Sequence, residues 1–115
     1  MVEDCIFCKI ARGDIPAEVV FEDNEIMAFK DLHAKAPVHI LFIPKKHIPT
    51  INDLQGQDLG LAGRILGVIS KVATSLGIGL DGYRVVVNCG RNGGQEIYHL
   101  HFHLLGGRAL SWPPG

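Results

Sequence analysis

Three of the six histidines in this 115-residue chain stand at alternate positions, His99, His101 and His103, with Leu100, Phe102 and Leu104 interleaved. An extended strand sends successive side chains to opposite faces. The spacing therefore predicts one face with three imidazoles and another with Leu100, Phe102 and Leu104 for a core. A helix would scatter both sets around its axis. A face turned only to water is served by Thr, Lys or Glu, whereas clustered titratable rings mark a site. Two chemistries fit. His-x-His on a strand is a good bidentate pair for a metal ion, but His99 to His103 spans about 13 Å at ~3.3 Å per residue. One ion would take two neighbours and hardly all three. Alternatively, one imidazole is a nucleophile whose neighbours set its tautomer and contact the substrate. Crowded imidazoles disfavour one another's protonation, and a neutral ring suits attack on an electrophile that resists water, such as a phosphorus centre.

The run His-φ-His-φ-His-φ-φ over residues 99–105 resembles the signature of the histidine triad superfamily of nucleotide hydrolases and transferases. Gly93-Gly94-Gln95, Gly106-Gly107-Arg108 and Trp112-Pro113-Pro114-Gly115 are similar to its Hint branch, as are Phe21-Glu22-Asp23 and Ile43-Pro44-Lys45-Lys46-His47. Almost the whole chain is covered. The resemblance implies hydrolysis of a nucleoside 5′-monophosphate joined to an amine or similar leaving group, purine preferred, through a covalent nucleotidyl-histidine. A dinucleoside polyphosphate hydrolase is the alternative enzyme, and it would need more positive charge than this chain shows. A purine-nucleotide-binding regulatory protein with little turnover is the alternative outside enzymes, and a zinc-storage or redox protein using Cys5 and Cys8 is a third reading.

Residue by residue, the resemblance makes His101 the nucleophile, with His103 on the phosphoryl oxygens and His99 and His39 orienting it. Without the resemblance, His39 reads as an ordinary strand histidine. Asp31 is either a solvated turn carboxylate or, as the resemblance implies, the acceptor for the ribose hydroxyls, for which two carboxylate oxygens suit a cis-diol. Phe7, Ile10, Phe29 and Leu32 would form an apolar slot for the base, and each is equally good core material. Asn88 and the segment Gly94, Gln95 and Glu96 would hold ribose and phosphate, helped by a glycine-rich loop whose N–H groups can approach an anion. Several Hint members carry serine where this chain has Glu96. A carboxylate there would repel phosphate, so its side chain points elsewhere or meets the leaving group.

Cys5 and Cys8 are three residues apart on a short predicted helix. They are either two buried thiols or half of a four-ligand site, and some bacterial members resembling this chain complete such a zinc set with residues matching His47 and His99. No paired-carboxylate Mg²⁺ site is visible, so the predicted chemistry requires no cofactor and any zinc is structural. Trp112, followed by two prolines that forbid a regular helix, docks on its own domain or, by the resemblance, on the active site of a homodimer partner.

The elements that position these residues follow from patterning. At this length the chain is a single domain, residues 1–115,. The predicted class is α+β: an antiparallel sheet of about five strands with one long and one short helix, the sheet continued across a homodimer. Strands are predicted over residues 18–22 and 25–30 around a turn at Asp23-Asn24, over 38–43 ending at Pro44, over 83–88, and through the histidine run from Tyr98. Residues 57–76 read as the long helix, with Ala62, Ile65, Leu66, Ile69, Val72, Ala73 and Leu76 as its apolar stripe and Gly77 as its stop. A hydrophobic content of 47% and net charge of −1 fit an ordinary globule. They give little basis for nucleic-acid binding, and no apolar run approaches the ~20 residues needed to span a bilayer. The acidic start Met1-Val2-Glu3-Asp4 lacks the features of a signal peptide. An odd count of three cysteines fits a reducing cytoplasm better than a disulfide framework.

Overall fold

The computed structural model describes residues 3–115; the part of the N-terminal reading that concerns Met1 and Val2 lies outside them. Among the described residues, five strands form one antiparallel sheet: β1 (Val19–Glu22), β2 (Ile26–Lys30), β3 (Val38–Pro44), β4 (Tyr83–Val86) and β5 (Phe102–Gly106). Their order is β1-β2-β3-β5-β4. Two helices, α1 (Ile6–Arg12) and α2 (Asp58–Ser75), cover opposite faces, and a short 3-10 turn, Ile51–Asp53, precedes α2. This is the expected α+β arrangement.

The central strands are covered on both faces, which explains the apolar runs at residues 26–29 of β2 and 40–44 of β3,. Ile26 and Ala28 of β2, Ile40 and Phe42 of β3, and Phe102 and Leu104 of β5 pack on Leu61, Ile65, Ile69 and Val72 of α2. Met27 and Phe29, with Leu41 and Ile43, point the other way onto Phe7, Ile10 and Ala11 of α1. The register sets His39 opposite Leu105 and Leu41 opposite His103. His39 and His103 therefore belong to the α1 face, while α2 packs only on the apolar side.

Local chemistry fixes the helix ends. Cys5 caps α1, its Sγ accepting the Cys8 N–H at 3.3 Å. Gly13 closes the helix in the left-handed region at φ 83°, which glycine adopts without a Cβ clash. In α2 the expected stripe is rotated: Leu61, Ile65, Ile69, Val72 and Ala73 are buried, whereas Leu66 and Leu76 are exposed. Steps of four, four and three residues hold one face, and Leu66 lies about 100° from Ile65.

The histidine strand is shorter than its pattern predicts. Only residues 102–106 pair as a strand, and residues 97–99 bend away from the ladder. The alternation nevertheless persists, since Leu100 joins the α2 core with Phe102 and Leu104. What changes is where the three imidazoles lead.

Candidate active site

On the α1 face lies a cleft of about 760 Å³. Phe7 and Ile10 of α1 and Phe29 of β2 form its apolar wall; Asp31, His39, His101 and His103 form its polar wall. Asn88, Gly94 and Glu96 reach it from the loops after β4. Leu32 lines the cleft too, but at 93% exposed it stands at the rim, not in an enclosed slot.

Backbone contacts decide the tautomers. The Lys35 N–H donates to His39 Nδ1 at 3.0 Å, so neutral His39 carries its proton on Nε2. That N–H faces His103 Nδ1 at 3.0 Å, with Asp31 Oδ2 at 3.4 Å. His103 therefore accepts on Nδ1 and carries its proton on Nε2, a buried atom with no partner among the described residues. His101 Nδ1–H donates to the His99 carbonyl at 2.8 Å, which leaves the lone pair on Nε2. The rings of His101 and His103 are 5.0 Å apart. A lone pair and an unused N–H are thus set side by side, the pair of functions an attack on a phosphoryl group requires.

The rings stay neutral near pH 7. Burial pushes His103 down to about 4, reinforced by His101 and His39 and opposed by Asp31. Burial also lowers His101, against the opposing effects of the His99 carbonyl and Asp31. His39 is lowered by burial, partly offset by Asp31.

Of the two places expected for His99, the structure gives it the one with the cysteines. Its ring does not line the cleft; it is fully buried beside Cys5, Cys8 and His47. The reason is the bend at residues 97–99, which turns the ring toward the start of α1. Only its carbonyl reaches the cleft wall, through the bond from His101 Nδ1. The Gln95 side chain turns inward: its amide donates to the carbonyls of Pro49 at 2.8 Å and Ile97 at 3.1 Å and accepts from the Gly90 N–H at 2.9 Å. The backbone N–H groups of Gly94 and Gln95 donate to Arg91 and Gly90 carbonyls. They close the glycine-rich turn, so the expected phosphate cradle contracts to the Glu96 end of the segment. Glu96 itself is exposed at the cleft mouth. Trp112 is 81% exposed, which rules out docking on its own domain.

Lys35 is the residue that sequence reasoning missed. Its N–H sets the His39 tautomer, and its side chain lines the cleft as a cation. The amide function has no residue-type signature.

The second cluster fits a metal ion. Cys5 Sγ and His99 Nδ1 are 3.4 Å apart, Cys8 Sγ and His47 Nδ1 3.2 Å, Cys8 Sγ and His99 Nδ1 3.6 Å, and the two Nδ1 atoms 3.3 Å. Tetrahedral zinc, with its ordinary Zn–N and Zn–S bonds, places ligands about 3.4 Å (N to N) and about 3.6 Å (N to S) apart. His99 Nε2–H donates to the Pro44 carbonyl at 2.7 Å, the outer hydrogen bond typical of a metal-bound imidazole. That contact leaves Nδ1 as a lone pair aimed at the cluster. Cys5, Cys8, His47 and His99 could hold zinc, which would fix α1 to the segment before β5.

Comparison with known proteins places this geometry. The family described as "Scavenger mRNA decapping enzyme C-term binding" matches residues 4–111. The purine nucleoside phosphoramidase of Escherichia coli K12 is 48% identical over 110 residues, covering 96% of this chain and 92% of that protein. A HIT-like protein of Synechocystis is 50% identical over the full length of both chains. The crystal structure of a HIT family hydrolase from Legionella pneumophila superposes with a TM-score of 0.95 at 55% identity, covering 97% of this chain and 100% of that one. A histidine triad protein from Clostridium difficile gives 0.94 at 46% identity, with 96% of each chain covered.

Proposed function

The chain belongs to the histidine triad family, and on that premise we propose that it hydrolyses nucleoside 5′-phosphoramidates, purine preferred, through a covalent nucleotidyl-histidine. The observation that carries the reading is the pairing of the His101 Nε2 lone pair with the unpartnered N–H of buried His103.

The nucleoside lies with its base against Phe7, Ile10 and Phe29 and its ribose hydroxyls toward Asp31, whose Oδ1 already accepts the His33 N–H at 2.8 Å. Asn88 and Glu96 flank ribose and phosphate, and Leu32 closes the rim. His101 Nε2 attacks the α-phosphorus; the N–P bond forms as the bond to the amine breaks. The ring becomes cationic, and the His99 carbonyl at Nδ1 stabilises that charge. A bound phosphoryl anion raises the proton affinity of the neutral His39–His103 pair, so the pair takes up a solvent proton with the substrate and passes it to the departing amine. Water cleaves the nucleotidyl-histidine, giving the nucleoside 5′-monophosphate and free His101. Imidazoles do this chemistry at phosphorus with no cofactor, and zinc on Cys5, Cys8, His47 and His99 is structural.

A homodimer completes the proposal. β4 forms one edge of the sheet with Tyr83 and Val85 exposed, and exposed Trp112 is apolar area of the kind that partners cover. Trp112 would meet the partner's cleft, where it bears on the leaving group. Reduced thiols at Cys5, Cys8 and Cys89 fit the cytoplasm. Among the described residues no helix is long and apolar enough to cross a membrane.

The test is turnover of adenosine 5′-phosphoramidate with rapid-quench trapping. The parent should accumulate nucleotide bound to His101, and His101→Ala should form none and lose at least about a thousandfold in rate. Equal rates in the two proteins would overturn the proposal.

A further inference from the structure

The Gly106-Gly107-Arg108 run that ends β5 takes no part in the chemistry above, yet it grips the loop on which that chemistry depends. Residues 31–37 join β2 to β3 and carry Asp31 and the Lys35 amide. The Arg108 guanidinium donates to the Lys35 carbonyl at 2.8 Å and to the Ala109 carbonyl at 3.0 Å. Gly107 lies in the left-handed region at φ 89°, and a Cβ there would meet Pro37 Cβ at 2.9 Å. Glycine lets the loop approach this closely. The Lys35 N–H goes to His39 Nδ1 at 3.0 Å. Both main-chain groups of Lys35 are thus held by side chains, His39 on one side and Arg108 on the other. His39 in turn meets His103, which precedes Arg108 by five residues on the same segment. The contacts close a circuit that runs from His103 through Arg108, Lys35 and His39 and back to His103.

We infer that Arg108 is a positioning residue: by holding the Lys35 carbonyl it keeps the Lys35 N–H on His39, and so keeps the His103 Nε2–H available to the phosphoryl group. The inference rests on the reading of His103 as the phosphoryl donor. Arg108 is exposed and lies outside the cleft lining, so it acts through the loop and not on the substrate. A Lys35 carbonyl released from Arg108 bonds to water instead, and the loop can then turn its N–H away from His39. The proton of His39 is no longer confined to Nε2. In the alternative tautomer, the His39 Nε2 lone pair faces the Nδ1 lone pair of His103. That repulsion ends only when His103 moves its own proton to Nδ1, which leaves a lone pair where the phosphoryl oxygen needs a donor. Removing one such donor outright costs about 10²–10³-fold. Loss of one exposed hydrogen bond shifts the loop only partway, for a cost of about three- to tenfold.

The experiment compares the parent, Arg108→Ala and Arg108→Lys in single-turnover hydrolysis of adenosine 5′-phosphoramidate, in affinity for adenosine, and in ¹⁵N spectra of the imidazoles. Arg108→Ala should lose about three- to tenfold in rate and show a second His39 tautomer. Its affinity for adenosine, which has no phosphoryl group, should stay within about twofold. Arg108→Lys still offers the Lys35 carbonyl a donor and should recover part of the rate. A semisynthetic chain with an ester in place of the amide between Ala34 and Lys35 lacks that N–H alone. It should be at least as slow as Arg108→Ala, and adding Arg108→Ala to it should cost less than about twofold more. Additive losses in the doubly altered chain would overturn the inference, because Arg108 would then act elsewhere. So would an unchanged rate in Arg108→Ala, or a loss that disappears with added salt, the mark of a long-range cation. Unfolding of Arg108→Ala, or equal losses of rate and adenosine affinity, would make the contact general scaffold and also sink it. His103→Ala separates the two readings: parental turnover in that variant removes the phosphoryl donor itself. A slow His103→Ala beside an indifferent Arg108→Ala removes only the positioning role.

Discussion

The Nε2 of His39 stands 3.0 Å from the Nδ1 of His103, and the Lys35 amide behind His39 determines which nitrogen of the pair is left for a ligand. A main-chain group four residues upstream thus sets the protonation of a ring on another strand. His39→Ala would leave His103 Nδ1 without its donor. Loss of such a buried bond costs about 1–3 kcal/mol, so kcat/KM on a phosphoramidate should fall by about 10–100-fold. His39→Gln, which can return an N–H to that position, should recover part of the loss in steady-state assays.

Activity should persist below the ordinary imidazole range. Burial lowers His101 from 6.5, so its lone pair remains available as the medium is acidified to pH 6.5. The acidic limb of the kcat/KM profile should have its midpoint below that value, and a midpoint at or above 6.5 would contradict the burial argument.

Stability should follow the opposite protonation economy. His103 titrates at about 4 in the folded chain against 6.5 when unfolded, so the unfolded chain binds more protons between those values. Its contribution is complete above pH 6.5, declines as pH falls to about 4, and changes no further below. The slope for this group is at most about 1.4 kcal/mol per pH unit, measurable by urea unfolding across that window.

Cys8→Ser should lower zinc retention against a chelator. Cys8 lies fully buried within reach of both His47 and His99, and a hydroxyl is a poorer zinc ligand than a thiolate. Elemental analysis after dialysis, with the visible spectrum of the cobalt-substituted protein, measures the change.

Phe42→Ala should destabilise the fold by about 3–5 kcal/mol, because Phe42 is fully buried between the sheet and α2. Trp112→Ala should leave unfolding within about 0.5 kcal/mol, given its exposure, while shifting kcat/KM among amines of different size.

Much of this was legible in the chain. Residues 38–44 announced β3 through a mostly apolar stretch, broken by His39 and ending in proline, and the long helix was placed to within a residue at each end. Local pattern carried those elements. It failed where a side chain's destination depended on tertiary neighbours. The His99 spacing is that of a strand, but its ring goes where the capped turn at Cys5 stands. The N–H groups of Gly94 and Gln95 stand in a glycine-rich loop suited to an anion, yet the carbonyls of Arg91 and Gly90 claim them. Leu66 fits a helical stripe and misses the sheet by one residue's rotation. Lys35 acts through an amide that every non-proline residue possesses, so no residue type could have marked it.

The sheet divides the molecule into an oily layer under α2 and a second layer under α1 that holds the histidine-lined cleft. Random substitutions beneath α2 should therefore alter melting temperature with little change in selectivity, and a library confined to the opposite layer should do the reverse. An engineer could evolve hardiness and substrate range in separate campaigns, then merge the winners.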